Sequence, residues 1–140
     1  MHVARLFSTP LIFTNCTVFE EYYGLQKNDI YLPALLKKNK TKEILNLEKF
    51  TSFPIGALSN DEHYSLNDLQ VIQNTSDELL NATKEMIALT ESNNVRTNLS
   101  DKQIKFKNLA LKNSIYYYKS ELSPNAQISK YFLEKRSELI

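Results

Sequence analysis

The chain has 140 residues, enough for one domain with a modest core, and its 42% hydrophobic and 24% charged residues are typical of a folded protein exposed to water. Seventeen basic and sixteen acidic side chains leave a net charge of +1, so the charge balance gives no electrostatic indication of nucleic-acid binding. The single cysteine, Cys16, excludes an intramolecular disulfide framework, and the two glycines exclude a glycine-rich phosphate loop within this chain.

The first residues have the pattern of a partial helix followed at once by a buried strand. Residues 2–8 place apolar side chains at helical spacing, and Pro10 ends that helix. The apolar run at 11–13 is short and follows a proline, which favours a buried strand in a parallel sheet. Thr14 and Asn15 follow at the carboxyl end of this strand, where open α/β sheets bind ligands.

The next third of the chain alternates loops with short predicted elements. Residues 18–29 are interpreted as a loop or short turn, and 29–33 as a second strand that ends in proline. The basic run at 37–42 is interpreted as a solvated loop, with attraction for a phosphate or a membrane surface as the alternative. A brief helix is predicted near 47–53.

A polar stretch then leads into the strongest predicted helix. Residues 56–68 are interpreted as a surface loop, in which Asp61, Glu62 and His63 are hydrated rather than reactive. A third strand is predicted at 69–73, and Asn74 or Thr75 caps the helix at 75–91. Its inward stripe is predicted to be Leu79, Ala82, Met86 and Leu89, widened by Leu80 and Ile87.

Two more helices are predicted towards the C-terminus. Ser100 and Gln103 have capping-box spacing at the start of the first. Its inward face is predicted to be Ile104, Leu111 and Ile115, extended partly by Phe106 and Leu109, and the tyrosines at 116–118 close it. Ser123 and Pro124 start the last helix, in which Ile128, Phe132 and Leu133 are predicted to face inward.

Four segments carry a family resemblance through their order and spacing: HVARLFSTPLIFTN, KNDIYLPALL, VIQNTSDELLNATKEM and SPNAQISKYFLEK. Together they resemble the C-terminal part of a family of bacterial glycosyltransferases found among surface-polysaccharide genes. That region is similar to the nucleotide-sugar half of the heptosyltransferases, which have the GT-B architecture of two Rossmann-like domains. The resemblance implies an α/β fold, with an incomplete Rossmann-like nucleotide-sugar-binding region and a small parallel sheet over 1–92. A helical C-terminal extension follows over 93–140.

The resemblance also implies where a donor would bind. In such enzymes the nucleotide diphosphate lies against the N-terminus of the H-x-A helix, where unpaired N–H groups favour an anion. His2 matches the family histidine, although the Ser/Thr-Gly pair that precedes it in the family is missing here. Thr14 and Asn15 would form a polar wall of the cleft, so the implied donor-binding residues are His2, Thr14 and Asn15.

No catalytic or metal-binding residue is implied within the chain. The two histidines, His2 and His63, lie far apart and lack cysteines at metal-ligand spacing. GT-B enzymes generally need no bound metal or cofactor, which agrees with the lack of a D-x-D motif. In the GT-B arrangement the catalytic base usually comes from the N-terminal domain, so none can be named here.

The leading hypothesis is therefore that the chain is the donor-binding portion of a glycosyltransferase and that its sequence begins just after the phosphate loop. Its strand at 11–15 is expected to lie next to the strand of the VIQN segment. It would be inactive without an upstream half, and its expected partners are a nucleotide-sugar donor and either an upstream-encoded chain or a second copy. No apolar run reaches the roughly 18 residues of a membrane span, and signal-peptide features are missing. We expect a cytoplasmic protein, with a peripheral position at the inner membrane as the alternative.

Two other interpretations remain open. A non-catalytic interaction module would bind a partner chain through the exposed side of its sheet and its tyrosine-rich tail. A decayed gene product would have a poorly packed opening segment, with rapid hydrogen exchange across residues 1–15.

Overall fold

A computed structural model describes residues 9–91, 99–113 and 126–140. Five β-strands lie within these ranges: β1 Ile12–Cys16, β2 Ile30–Pro33, β3 Leu35–Lys38, β4 Leu69–Ile72 and β5 Gln127–Ile128. The α-helices described are α1 Leu47–Thr51, α2 Asp61–Leu66, α3 Ser76–Glu91, α4 Asp101–Asn113 and α5 Lys130–Lys135. Single 3₁₀ helices occur at Phe19–Gly24, Ile55–Ala57 and Ser137–Leu139.

A three-stranded parallel sheet with the order β1-β2-β5 forms the centre of this mixed α/β fold. Ile12 lies opposite Ile30, and Tyr31 lies opposite Ile128 on the other side of β2. All four residues of β2 are buried, as expected of the central strand of a parallel sheet. The strands predicted at 11–15 and 29–33 are thus confirmed, and so is a small parallel sheet; a Rossmann-like assignment remains a proposal.

The prediction that β1 lies next to the strand of the VIQN segment is wrong. The first two residues of the VIQN segment are the last two residues of β4. This strand pairs antiparallel with β3 in a separate two-stranded sheet, with Leu36 opposite Val71. Only Ala34 separates β2 from β3, so the chain leaves the parallel sheet and immediately enters the two-stranded sheet. The strand β4 follows only after α1 and α2, and it pairs with β3 instead of joining the parallel sheet.

Part of the basic run belongs to β3 rather than to a loop. Lys37 and Lys38 are half-buried strand residues, and the turn follows them at Asn39. The alkyl stem of a lysine can lie along an apolar surface while its ammonium group stays in water. The Lys38 ammonium contacts Glu43 at 2.8 Å, so the run is partly neutralised.

The predicted helix at 75–91 is confirmed, but its buried face is narrower than predicted. Ala82 is buried, and Leu79, Met86 and Leu89 pack partly buried against the core. Leu80 and Ile87 are 53% and 49% exposed. Because α3 packs against β1, β2 and α5 along one side, residues beyond that stripe face water.

Three further predictions are corrected. Residues 61–66 form α2 instead of a loop, since the Asn60 side chain accepts a hydrogen bond from the N–H of His63. In α4 the buried face is Gln103, Phe106 and Ala110, whereas Ile104 is 45% exposed. The last helix begins at Lys130, and Ile128 belongs to β5 instead.

The C-terminal part nevertheless contributes to the core as expected. Ile128, Phe132 and Leu133 are buried. Helix α4 packs against α1, and β5 completes the parallel sheet beside β2. The division into 1–92 and 93–140 stays a prediction.

Several predictions fall outside the described ranges. These are the helix at 2–8 with His2, the position of Ile115, the tyrosines at 116–118 and the helix start at Ser123 and Pro124. Within the described ranges, no helix combines the length and apolar character needed to span a membrane.

Candidate functional site

Two of the three predicted donor-binding residues lie in β1, towards the carboxyl edge of the parallel sheet. Thr14 is half-buried, is the third of the five residues of β1 and lies opposite Leu32. Asn15 is exposed, lies in an irregularity of the strand between Thr14 and Cys16, and has a φ of 52°. Asparagine tolerates this left-handed conformation better than most residues, because its short polar side chain can form local hydrogen bonds.

A reciprocal pair of hydrogen bonds fixes Asn15 to Asn74, the residue two positions after β4. The backbone N–H of Asn15 donates to Asn74 Oδ1 at 2.7 Å, and the N–H of Asn74 donates to Asn15 Oδ1 at 2.6 Å. Asn74 Nδ2 also donates to the carbonyl oxygen of Pro33 at 2.7 Å. This asparagine pair therefore joins the carboxyl ends of β1 and β2 to the entry of α3.

Helix α3 begins beside the asparagine pair with the predicted capping box. The N–H of Thr75 donates to Glu78 Oε2 at 2.8 Å, and the N–H of Glu78 donates to Thr75 Oγ1 at 3.2 Å. Thr75, rather than Asn74, therefore caps the helix.

The Glu78 carboxylate is only 1% exposed and has a second partner from the C-terminal end of the chain. Arg136 Nε donates to Glu78 Oε1 at 3.0 Å. A buried carboxylate needs such partners, because desolvation of an unpaired charge is costly. The pair fixes the segment after α5 against the first turn of α3.

A second charged contact lies on the exposed side of the same turn. Lys135 Nζ lies 2.8 Å from Asp77 Oδ2, and the Tyr131 hydroxyl donates to the same oxygen. The hydrogen bond from Lys135 is the main cause that lowers the pKa of Asp77, and it raises the pKa of Lys135 in turn. The carboxylate in this bond raises the pKa of Tyr131.

The carboxyl edge thus combines amide and hydroxyl groups with two cations that are already paired. Asn74 holds the Asn15 backbone N–H and side-chain oxygen, so the Asn15 side-chain NH₂ group is what this residue can offer to a ligand. In the described ranges, no group of three or more His, Cys, Asp or Glu residues could hold a metal ion. The arrangement suits hydrogen bonding to a polar ligand.

Sequence reasoning found some of these residues and missed others. Thr14 and Asn15 followed from the carboxyl end of a predicted strand, whereas His2 lies outside the described residues. His63 is exposed on α2, in agreement with the prediction that it is hydrated. Asn74 was predicted only as a helix cap, and no signal pointed to Arg136.

Known proteins supply no further assignment. The chain matches no model of a protein family, no curated protein and no solved structure.

Proposed function

We propose that this chain is the donor-binding portion of a glycosyltransferase that uses a nucleotide sugar, in the synthesis of a surface polysaccharide or other glycan. The observation that carries the proposal is the asparagine pair at the carboxyl edge of a parallel sheet, next to the start of a 16-residue helix. Ligands of open α/β sheets bind in the crevice outside the carboxyl ends of the strands.

The family-like segments come together in space, although the strand of the VIQN segment pairs with β3 and not with β1 as the assignment required. LIFTN supplies β1, and DIYLP supplies β2. VIQNT supplies the end of β4 and Asn74, and QISKYFLEK supplies β5 and α5. These segments contact one another through the parallel sheet, the asparagine pair and the packing of α3 on α5. Separate segments that converge on one sheet and its edge are expected of a shared binding region.

The chemistry of the edge suits a neutral polar contact to the donor. Thr14 and the Asn15 amide can bind hydroxyl or phosphate oxygens of a nucleotide sugar. Lys135 and Arg136 are held by Asp77 and Glu78, so they neutralise those carboxylates beside the site. The catalytic base would come from another domain, as the resemblance implies.

A charge-adding substitution tests this site while keeping the hydrogen bonds between positions 15 and 74. Asn15→Asp keeps an oxygen that accepts from the Asn74 N–H and tolerates the left-handed backbone, but it replaces the side-chain NH₂ donor with a carboxylate on the wall of the donor cleft. UDP-, GDP-, CMP- and ADP-sugars are titrated at millimolar concentration and followed by the side-chain amide resonance of Asn74 in every protein, and by that of Asn15 in the proteins that keep it. One donor is expected to give saturable shifts, and Asn15→Asp should weaken its binding about threefold to tenfold through loss of the NH₂ donor and charge repulsion.

Asn28→Asp is the matched control. Asn28 is exposed in the turn before β2, at the opposite end of the sheet, so the same added charge should leave donor affinity unchanged. If none of the four donor classes shifts the Asn15 and Asn74 resonances, or if both variants weaken binding equally, the carboxyl edge is not a donor site.

A further inference from the structure

A cavity of about 200 Å³ lies at the amino end of the parallel sheet. Its walls include Lys27, which precedes β2, and Gln127, the first residue of β5. Tyr22 and two residues of α4, Gln103 and Lys107, complete its polar lining. Thr14 and Asn15 lie at the other end of the strands, so this cavity is separate from the proposed donor site.

The described lining of the cavity is positively charged. Among the residues that the structure describes, this lining contains two lysines and no aspartate or glutamate. In the described part of the chain, neither Lys27 nor Lys107 has a carboxylate within salt-bridge distance, whereas Lys112 on the same helix contacts Glu48 at 3.1 Å. A cleft lined by charges of one sign concentrates the electrostatic potential and attracts ions of the opposite sign.

Neutral side chains hold the wall between the two lysines in place. Gln103 is 7% exposed, and its Nε2 donates to the carbonyl oxygen of Ile128 at 2.8 Å. Its Oε1 accepts from the N–H of Ser100 at 3.0 Å. The Tyr22 hydroxyl donates to the carbonyl oxygen of Ala126 at 2.8 Å. The polar wall is therefore fixed before a ligand arrives.

One more donor is available at this wall. The side-chain oxygen of Gln127 lies 3.5 Å from Gln103 Nε2. The Gln127 NH₂ group has no partner in the ranges that the structure describes, and its residue is half-buried in the cavity lining. Such a group can donate to an anion that enters the cavity.

We propose that this cavity binds a small phosphate-bearing anion through Lys27, Lys107 and the Gln127 amide. Two ammonium groups match a phosphate group, which carries about −1.5 to −2 charges at pH 7, better than a singly charged carboxylate. The volume is below the roughly 300–1,000 Å³ of pockets that hold drug-sized ligands, so the ligand is smaller than a nucleotide sugar. This proposal does not depend on the proposed donor site.

A titration of the full chain with inorganic phosphate tests the proposal, with sodium chloride at matched ionic strength as the reference. Saturable shifts of the Gln103 and Gln127 side-chain amide resonances are expected with phosphate and not with chloride. Lys27→Met and Lys107→Met keep the apolar stem and should each raise the Kd about threefold, as expected for the loss of one partly exposed ion pair. Lys105→Met, at an exposed position of the same helix, should leave the Kd unchanged.

A second arm distinguishes free phosphate from a phosphate ester. Tighter binding of glycerol 3-phosphate than of inorganic phosphate would identify an ester as the ligand, and weaker binding would identify the free ion. Non-saturable shifts, equal shifts with chloride, or phosphate binding that persists in the double lysine variant would overturn the proposal. Asn15→Asp should leave phosphate binding at the cavity unchanged, so failure of one site does not imply failure of the other.

Discussion

Two buried tyrosines differ in what their hydroxyl groups contact. Tyr22 and Tyr31 lie with ring centroids 5.0 Å apart, in a cluster that includes Phe19 and Phe106. The Tyr22 hydroxyl donates to a buried carbonyl oxygen, that of Ala126. The fully buried Tyr31 hydroxyl has no nitrogen or oxygen partner in the described ranges. Burial raises its pKa well above the usual value, and the neighbouring Cys16 adds to that effect.

The same substitution at these two positions should therefore have unequal costs. Tyr31→Phe removes a hydroxyl that gains little from its site, so the free energy of unfolding should change by less than about 1 kcal/mol or increase. Tyr22→Phe leaves the buried Ala126 carbonyl oxygen without its partner and should cost about 1–3 kcal/mol. Urea denaturation of the two variants measures the difference, and equal losses would show that the hydroxyl contacts do not decide these energies.

Residue-scale features of the site were only partly predictable. Thr14 and Asn15 follow a short apolar run, so their place at a strand end could be predicted. Asn74 contacts Asn15 across 59 positions, and Arg136 contacts Glu78 across 58. Such pairs depend on how the elements pack, and the local pattern around each residue contains no information about its partner.

At the scale of elements, one carboxylate on α3 fixes the start of α5. Glu85 accepts from the Ser129 hydroxyl at 2.9 Å and from the N–H groups of Lys130 and Tyr131 at 3.1 Å and 2.7 Å. Ser129 in turn accepts from the N–H of Phe132 at 3.2 Å. The first N–H groups of a helix have no partners within the helix, so this carboxylate and hydroxyl satisfy them. Helix α5 has only six residues and depends on this cap.

Loss of the Glu85 cap should destabilise α5 more than it destabilises α3, the helix on which Glu85 lies. Glu85→Ala is expected to lower the free energy of unfolding by about 2 kcal/mol, since charge-assisted hydrogen bonds contribute roughly 1.5–3 kcal/mol. Amide hydrogen exchange at Lys130 and Tyr131 should become faster. Glu91→Ala, at an exposed end of the same helix, is the control and should change neither quantity. Unchanged exchange in Glu85→Ala would contradict this role.

Local sequence signals predicted elements that have strong boundaries. Both capping boxes, Thr75 with Glu78 and Ser100 with Gln103, form as their spacing predicts. Helix α2 was missed because its composition, DEHYSL, is that of a polar loop, and only Tyr64 is buried. The inward face of α4 was assigned wrongly apart from Phe106, because Gln103 is buried with hydrogen bonds to the backbone, which no apolar pattern indicates.

At the scale of the whole molecule, the two sheets are joined at one corner. Only Ala34 separates β2 from β3, and the return from β4 passes through Asn74 to α3. Asn74 contacts both Asn15 and Pro33, so it holds the carboxyl ends of two strands against the segment that follows β4. The pairing of β4 with β3 rather than β1 could not be predicted, because a short β-branched run is compatible with either neighbour.

Removal of this connection should destabilise the molecule as one unit. Asn74→Ala removes the side-chain bonds to the Asn15 N–H and the Pro33 carbonyl oxygen, and should lower the free energy of unfolding by about 1–3 kcal/mol. Asn81→Ala removes an amide that bonds only within α3, to Asp77, and should cost less than about 1 kcal/mol. Urea denaturation should show a lower midpoint for Asn74→Ala with an unchanged slope. Equal midpoints would mean that the corner does not depend on Asn74.

The late position of β5 in the chain has a consequence during synthesis on the ribosome. Tyr22 can form its hydrogen bond to Ala126 only after 104 further residues have been added. In the same way, β2 can pair with β5 only after Gln127 has been synthesised. At translation speeds of about 5–20 residues per second, this interval lasts roughly 5–20 s. The apolar centre of the nascent polypeptide therefore lacks β5 for seconds, an interval in which an exposed strand edge and apolar surface favour aggregation.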